Sequence, residues 1–242
     1  RSTLFPYTTL FRSPYSETGR ANGWLARAQR LLERQQHECA ERGYLLLPLV
    51  EQQLDAGDFE AAYATADSAA LIGERCADTD LIACARHQQG RIRLEQGRLE
   101  DGLALMDEVM VAVTAWELSA LVTGLMYCSV IQACQRVYAF GRAGEWTAAL
   151  AHWCEEQPAM VAFTGTCRAH RAEIMQLRGD WQDAIEEAQR AREPSAGFDR
   201  HATAAALYQE AEVHRLRGEF SAAEQASIWR SEERRVGKEC RS

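Results

Sequence analysis

The sequence predicts an all-α chain, folded as an α-solenoid of stacked antiparallel helix pairs. Three observations point there: alanine is abundant while proline occurs only five times in 242 residues, apolar positions recur at helical spacing, and five helix-turn-helix segments repeat along the chain. Apolar residues make up 47% and charged residues 26%, the balance of a folded chain and not of a disordered one. No run approaches the roughly 18 consecutive apolar residues that a membrane helix needs, so no span is expected.

The two ends are set apart first. Residues 1–13 read RSTLFPYTTLFRS and residues 230–242 read RSEERRVGKECRS. A codon choice exists for the tail whose reverse complement translates in frame to the head, residue for residue. Two protein segments have no physical reason to encode each other's antisense strand, so both are expected to be translated sequencing adaptor and not native protein. Residues 14–229 then form the native part, a helical repeat domain cut from a longer chain. The ends hold seven of the 27 basic and three of the 35 acidic residues, which leaves 20 against 32 and a formal charge of −12. The chain's one lysine, Lys238, falls in the tail. Native basic residues are therefore all arginine, the mark of a GC-rich bacterial gene and not of selected phosphate recognition. A body this acidic repels nucleic acid.

The repeat is aligned on five glycines, Gly57, Gly97, Gly144, Gly179 and Gly218. Two positions on stands a bulky apolar residue: Phe59, Leu99, Trp146, Trp181 and Phe220. Five positions on stands a small one: Ala62, Gly102, Ala149, Ala184 and Ala223. Glycine ends one helix in a left-handed conformation. The acidic residue that follows in four cases (Asp58, Glu145, Asp180, Glu219) suits the positive end of the next helix dipole. The bulky residue plugs the angle between the two helices, and the small one lets their backbones approach. Seven residues before each glycine stand Val50, Gly90, Val137, Ala172 and Ala211; the two valines predict looser packing in their repeats.

Helices are accordingly expected at about 20–37, 43–56, 59–73, 79–96, 99–113, 118–142, 146–155, 160–178, 181–192, 200–217 and 220–229. The first is amphipathic, with Trp24, Ala28, Leu31 and Leu32 on one face. Seven native cysteines, dispersed and without a CxxC, predict free thiols in a reducing cytoplasm and not a disulfide framework. His152, Cys154, Cys167 and His170 supply potential zinc ligands, but His152 and Cys154 diverge by about 200° on a helix. Packing, and no metal site, is expected there. No phosphate loop, GxGxxG, HExxH or GxSxG is present, so neither a cofactor nor catalysis is expected.

The glycine, bulky and small pattern resembles the tetratricopeptide repeat over residues 44–229, which makes the expected architecture a tetratricopeptide-like α-solenoid. In that family the first helix of each pair lines a concave groove for a protein or peptide partner, or a small effector. Transferring the lining positions implies Tyr44, Glu51, His87, Arg91, Tyr138, Glu173, Tyr208 and Glu212 as groove residues. Four longer strings narrow the likeness: ANGWLARAQRLLE at 21–33, GEWTAALAHWCEEQP at 144–158, HRAEIMQLRGDWQDAIEEAQRA at 170–191 and EVHRLRGEFSAAEQA at 212–226. They are similar to the helical-repeat region of LuxR-type, MalT-like bacterial transcriptional regulators. In that family the repeats sense or transmit a signal, and a separate helix-turn-helix domain binds DNA. The resemblance implies a cytoplasmic protein-interaction or signal-sensing region whose DNA contacts lie in a domain outside this chain. The rival expectation is an interaction scaffold from another bacterial signalling protein.

Overall fold

The computed structural model describes residues 18–33, 39–156, 161–192 and 200–227. The two adaptor-like ends and the proline-bearing connections at 157–160 and 193–199 lie outside the described residues. All regular structure among the described residues is α-helical. The fold is an all-α helical repeat. In order, the helices are α1 (Thr18–Glu33), α2 (Ala40–Tyr44), α3 (Leu47–Asp55), α4 (Phe59–Cys76), α5 (Thr79–Glu95), α6 (Leu99–Thr114), α7 (Ala120–Arg136), α8 (Phe140–Glu156), α9 (Val161–Arg178), α10 (Trp181–Ala191) and α11 (Arg200–Leu216). The chain is helical again over 220–227.

The chain divides into two compact units, residues 1–97 and 98–242. In the first, α2, α3 and α5 all pack on α4. Its core joins Val50 of α3, Ala62 and Ala66 of α4 and Ile92 of α5, with Leu54, Phe59 and Tyr63 against them. Alanines at Ala62 and Ala66 let the three helices close on one another, so Val50 is fully buried despite its size. Of the apolar face expected on α1, only Ala28 is buried; Trp24 and Leu31 are exposed.

In the second unit, α7 packs on α8, α9 packs on both α8 and α10, and α11 packs on α9 and α10. One cluster is built only of alanines, Ala172, Ala188, Ala191 and Ala206. Another joins Ala184, Ile185 and Val213, with Met175 and Trp181 beside them. As on the other unit, small residues set the helix spacing, and the large side chains seal the flanks.

The turns inside the repeats share one geometry. Gly57, Gly97, Gly179 and Gly218 have φ between 76° and 92°. After α3, Asp58 N donates to Gln53 O and Gly57 N to Leu54 O, both at 2.9 Å. The same pair of bonds closes α9 through Asp180 and Gly179 and α11 through Glu219 and Gly218. This is the glycine-ended cap that satisfies the last carbonyls of a helix.

The third repeat corrects the sequence alignment. The helix expected over 118–142 ends at Arg136, and α8 runs unbroken through Gly144. The turn residue is Tyr138, with φ 60°; Ala139 N donates to Cys134 O at 2.8 Å and Tyr138 N to Gln135 O at 3.1 Å. Phe140 and Ala143 therefore take the bulky and small places assigned to Trp146 and Ala149. Ile131, which is fully buried, replaces Val137. The turns at Gly57, Gly97, Tyr138, Gly179 and Gly218 now lie 40, 41, 41 and 39 residues apart. Gly144 is a packing glycine instead: a Cβ there would stand 2.6 Å from Arg178 Nη2 of α9. Trp146 and Ala149 are half-buried on α8.

Two further turns, those leading from one repeat to the next, use left-handed residues with side chains. Ala77 has φ 52° and Trp116 has φ 60°. Asp78 N donates to Gly73 O at 2.9 Å, and Glu117 N to Ala112 O at 3.1 Å, so the same cap recurs without glycine.

Candidate functional site

The eight residues expected to line a groove belong four to each unit. In the first unit, Tyr44 ends α2 and donates its hydroxyl to Asp78 Oδ1 at 2.9 Å. The same oxygen caps α5 by accepting from Leu81 N at 2.8 Å. Burial and the Asp78 carboxylate push the Tyr44 phenol well above its ordinary value. Tyr44 is thus a structural tie between α2 and the turn before α5.

Glu51 on α3 is half-exposed and faces α5. It accepts from Gln88 Nε2 at 2.6 Å and forms an ion pair with Arg91, which also donates to Gln88 Oε1 at 3.0 Å. Three polar side chains from two leading helices make one closed network, so Glu51 and Arg91 neutralise each other.

His87, one turn before Arg91, is buried and does not present to solvent. Its Nε2 has no hydrogen-bond partner. Burial, with a smaller push from Arg91, drops its pKa to about 3, and the ring is neutral. The groove role assigned to His87 is corrected to a core position.

In the second unit, Tyr138 is the turn residue described above. It is 77% exposed and stacks edge-on against Phe140, with centroids 5.8 Å apart. It lies off the leading helix, so its groove assignment falls with the Gly144 alignment. The residue six before the true turn is Gln132.

Glu173 on α9 accepts from Gln135 Nε2 of α7 at 2.7 Å. Burial raises its pKa, partly opposed by that hydrogen bond. Tyr208 on α11 is exposed, and Glu212, one turn on, holds Arg215 through two bonds of 2.8 and 2.7 Å. That pairing pulls the Glu212 pKa down.

The glutamines Gln88, Gln135 and Gln209 were not singled out from sequence, yet each is a polar side chain on a leading helix. Gln88 and Gln209 share a signal that could have found them. Both stand nine residues before a turn glycine, one turn from the position that Glu51, Arg91, Glu173 and Glu212 hold six before theirs.

Other candidate chemistry stays scattered. His152 Nε2 lies 3.4 Å from Glu156 Oε1 on the same helix. No disulfide joins the cysteines among the described residues, and burial pushes the Cys84 thiol up to about 12 and the Cys134 thiol to about 11, which leaves both as inert apolar side chains. The side chain of Cys167 lies outside the described residues. Among the described residues no three His, Cys, Asp or Glu side chains come together as a metal cluster, and no helix is long and apolar enough to cross a membrane.

No family model matches the chain, and no curated protein matches it. Among solved structures, the crystal structure of BtubC (BKLC) from P. vanneervenii superposes with a TM-score of 0.68 at 16% sequence identity, covering 92% of this chain and 91% of that one. At that identity the likeness is one of fold, and it places this chain among all-α helical-repeat structures.

Proposed function

We propose that residues 14–229 are the helical-repeat region of a LuxR-type bacterial transcriptional regulator, and that its leading helices bind a protein or peptide partner or a small effector. The observation that carries this is the set of polar residues at one register of the leading helices. Glu51, Arg91, Glu173 and Glu212 recur six residues before the turns of an all-α repeat, on the helices that line the binding face in tetratricopeptide arrays. The four longer strings similar to MalT-like regulators direct the choice of family. On this reading the region recognises and does not catalyse, it works in the cytoplasm, and DNA is contacted only through a domain beyond this chain.

Recovery of the parent gene past Trp229 tests the proposal. A helix-turn-helix module downstream, whose parent protein shifts promoter DNA, supports it. A parent that continues into a cyclase or kinase module instead overturns the regulator and leaves the rival scaffold. Substrate turnover by the isolated repeat region overturns both.

A further inference from the structure

Each unit packs a trailing helix on the next leading helix in the same register. In the first, Phe59, Ala62 and Ala66 of α4 share a core with Ile92 of α5. Beside that core Gln96 Nε2 donates to Glu60 Oε1 at 3.2 Å, and Gln89 Nε2 to Asp67 Oδ1 at 3.0 Å. In the second, Trp181, Ala184 and Ile185 of α10 share a core with Val213 of α11, and Ala188 and Ala191 share one with Ala206. Arg217 Nη2 donates to Gln182 Oε1 at 3.3 Å, and Gln189 Nε2 to Glu210 Oε1 at 3.2 Å. Counted from the turn glycines, the two interfaces use the same positions. The residue three after a glycine meets the one before the next, ten after meets eight before, and the alanine five after shares its core with the aliphatic residue five before.

A leading helix seated in this way carries alanine, a polar residue, a branched aliphatic residue and a second polar residue at twelve, eight, five and one before its turn. These are Ala85, Gln89, Ile92 and Gln96 in one unit and Ala206, Glu210, Val213 and Arg217 in the other. The register five before the turn is apolar and buried in every leading helix after α3, as Ile92, Ala133, Ile174 and Val213. On α3, whose packing partners are α2, α4 and α5, it holds Gln52, which is exposed.

The helix over 220–227 offers the receiving side of this interface uncovered. Phe220, Ser221, Ala223 and Ser227 stand two, three, five and nine after Gly218. Phe220 is 69% exposed where Phe59 and Trp181 are half-buried. Ser227 is exposed where Ala66 and Ala188 are fully buried, and Ala223 is partly open where Ala62 and Ala184 are closed. We propose that this face seats one more leading helix, an amphipathic segment of the form Ala-x3-Gln/Glu-x2-Ile/Val-x3-Gln/Arg that the parent chain carries past Trp229. A second copy has no such helix to lend, because Ala85, Ile92, Ala206 and Val213 are all fully buried by the chain's own packing. The incoming helix sets its aliphatic side chain against Phe220 and Ala223, where apolar burial drives the contact. Its last polar residue falls opposite the Ser221 hydroxyl, which donates or accepts.

The test titrates the whole chain into a fluorescein-labelled synthetic peptide of residues 200–217, the chain's own helix of that form, and reads anisotropy. The seat predicts saturable binding that is at least about tenfold weaker with Phe220→Asp in the chain or Val213→Asp in the peptide, the loss expected when a buried apolar contact becomes a charge. Hydrogen exchange over 220–227 is expected to slow as the peptide binds. Phe220 is exposed, so its variant is expected to melt with the parent chain. Absence of saturation, an affinity unchanged by Phe220→Asp, or faster exchange along α11, the mark of a displaced native helix, each overturns the seat. Self-association of the chain alone that Phe220→Asp abolishes would give the face to a second copy and overturns it too. In the parent gene, polar residues in place of the apolar pair seven apart in the repeat after Gly218 would do the same. None of these readings depends on which module the parent carries downstream, so the seat and the regulator stand or fall separately.

Discussion

The Tyr44 hydroxyl and the Asp78 carboxylate meet at 2.9 Å across 34 residues of sequence. Asp78 Oδ1 is shared with Leu81 N at 2.8 Å. One oxygen thus ends the turn after α4, starts α5 and anchors α2. Tyr44→Phe removes one hydrogen bond and is expected to cost about 1 kcal/mol. Asp78→Ala removes the cap as well and should cost about 1 kcal/mol more. Urea melts of the two variants and their double measure the coupling; additive losses would show that the two side chains act independently.

His87 makes stability depend on pH. Its ring is neutral in the fold with a pKa of about 3, while the unfolded ring takes a proton near pH 6.5. The unfolded state therefore binds more protons between those values. The contribution is fully present above about pH 6.5 and is lost as pH falls toward 3. Urea melts at pH 7.5 and 4.5 should show roughly 2 kcal/mol less acid sensitivity in His87→Leu than in the parent chain. Equal sensitivity in both would place the ring in contact with water.

At Ala77 the turn pays for its side chain in backbone strain. The residue has φ 52° and is exposed, so its methyl group gains little from packing. Ala77→Gly is expected to stabilise by about 0.5–1 kcal/mol, and Gly57→Ala to destabilise by about 1 kcal/mol. A Cβ at Gly57 meets nothing within 4 Å, so its cost would come from φ alone. Thermal melts that move the two variants in the same direction would contradict the shared cap.

Ala184 has no exposed surface and packs with Ile185 and Val213. Ala184→Trp forces α10 off α11 and is expected to cost about 1–3 kcal/mol or more through overpacking. Calorimetry checks it: an unchanged melting temperature would mean that the helix contact is absent.

Most of the architecture was legible in the sequence. Helix class, four of the five turns and the helix boundaries over 59–114 and 161–216 follow from local rules, because a glycine that must adopt positive φ leaves its mark on the chain itself; the helix expected over 43–56 is instead divided into α2 and α3. Phe140 and Ala143 fit the bulky and small pattern as well as Trp146 and Ala149 do. A pattern keyed on glycine does not mark them, because Tyr138 carries a Cβ where the rule expects none. The turn falls at Tyr138, and Gly144 lies buried inside α8, where a side chain would require the end of the Arg178 side chain to shift.

The site residues divide along the same line. Sequence placed Glu51, Arg91, Glu173 and Glu212 at one register of the leading helices, since a helix fixes the direction of each side chain by its number. It could not tell that Arg91 is neutralised by Glu51, that His87 is buried, or that Gln209 Oε1 lacks a partner. Those facts depend on which side chains a neighbouring helix brings opposite. That is settled by the spacing and rotation of helices packed through their alanines, and no local pattern records it.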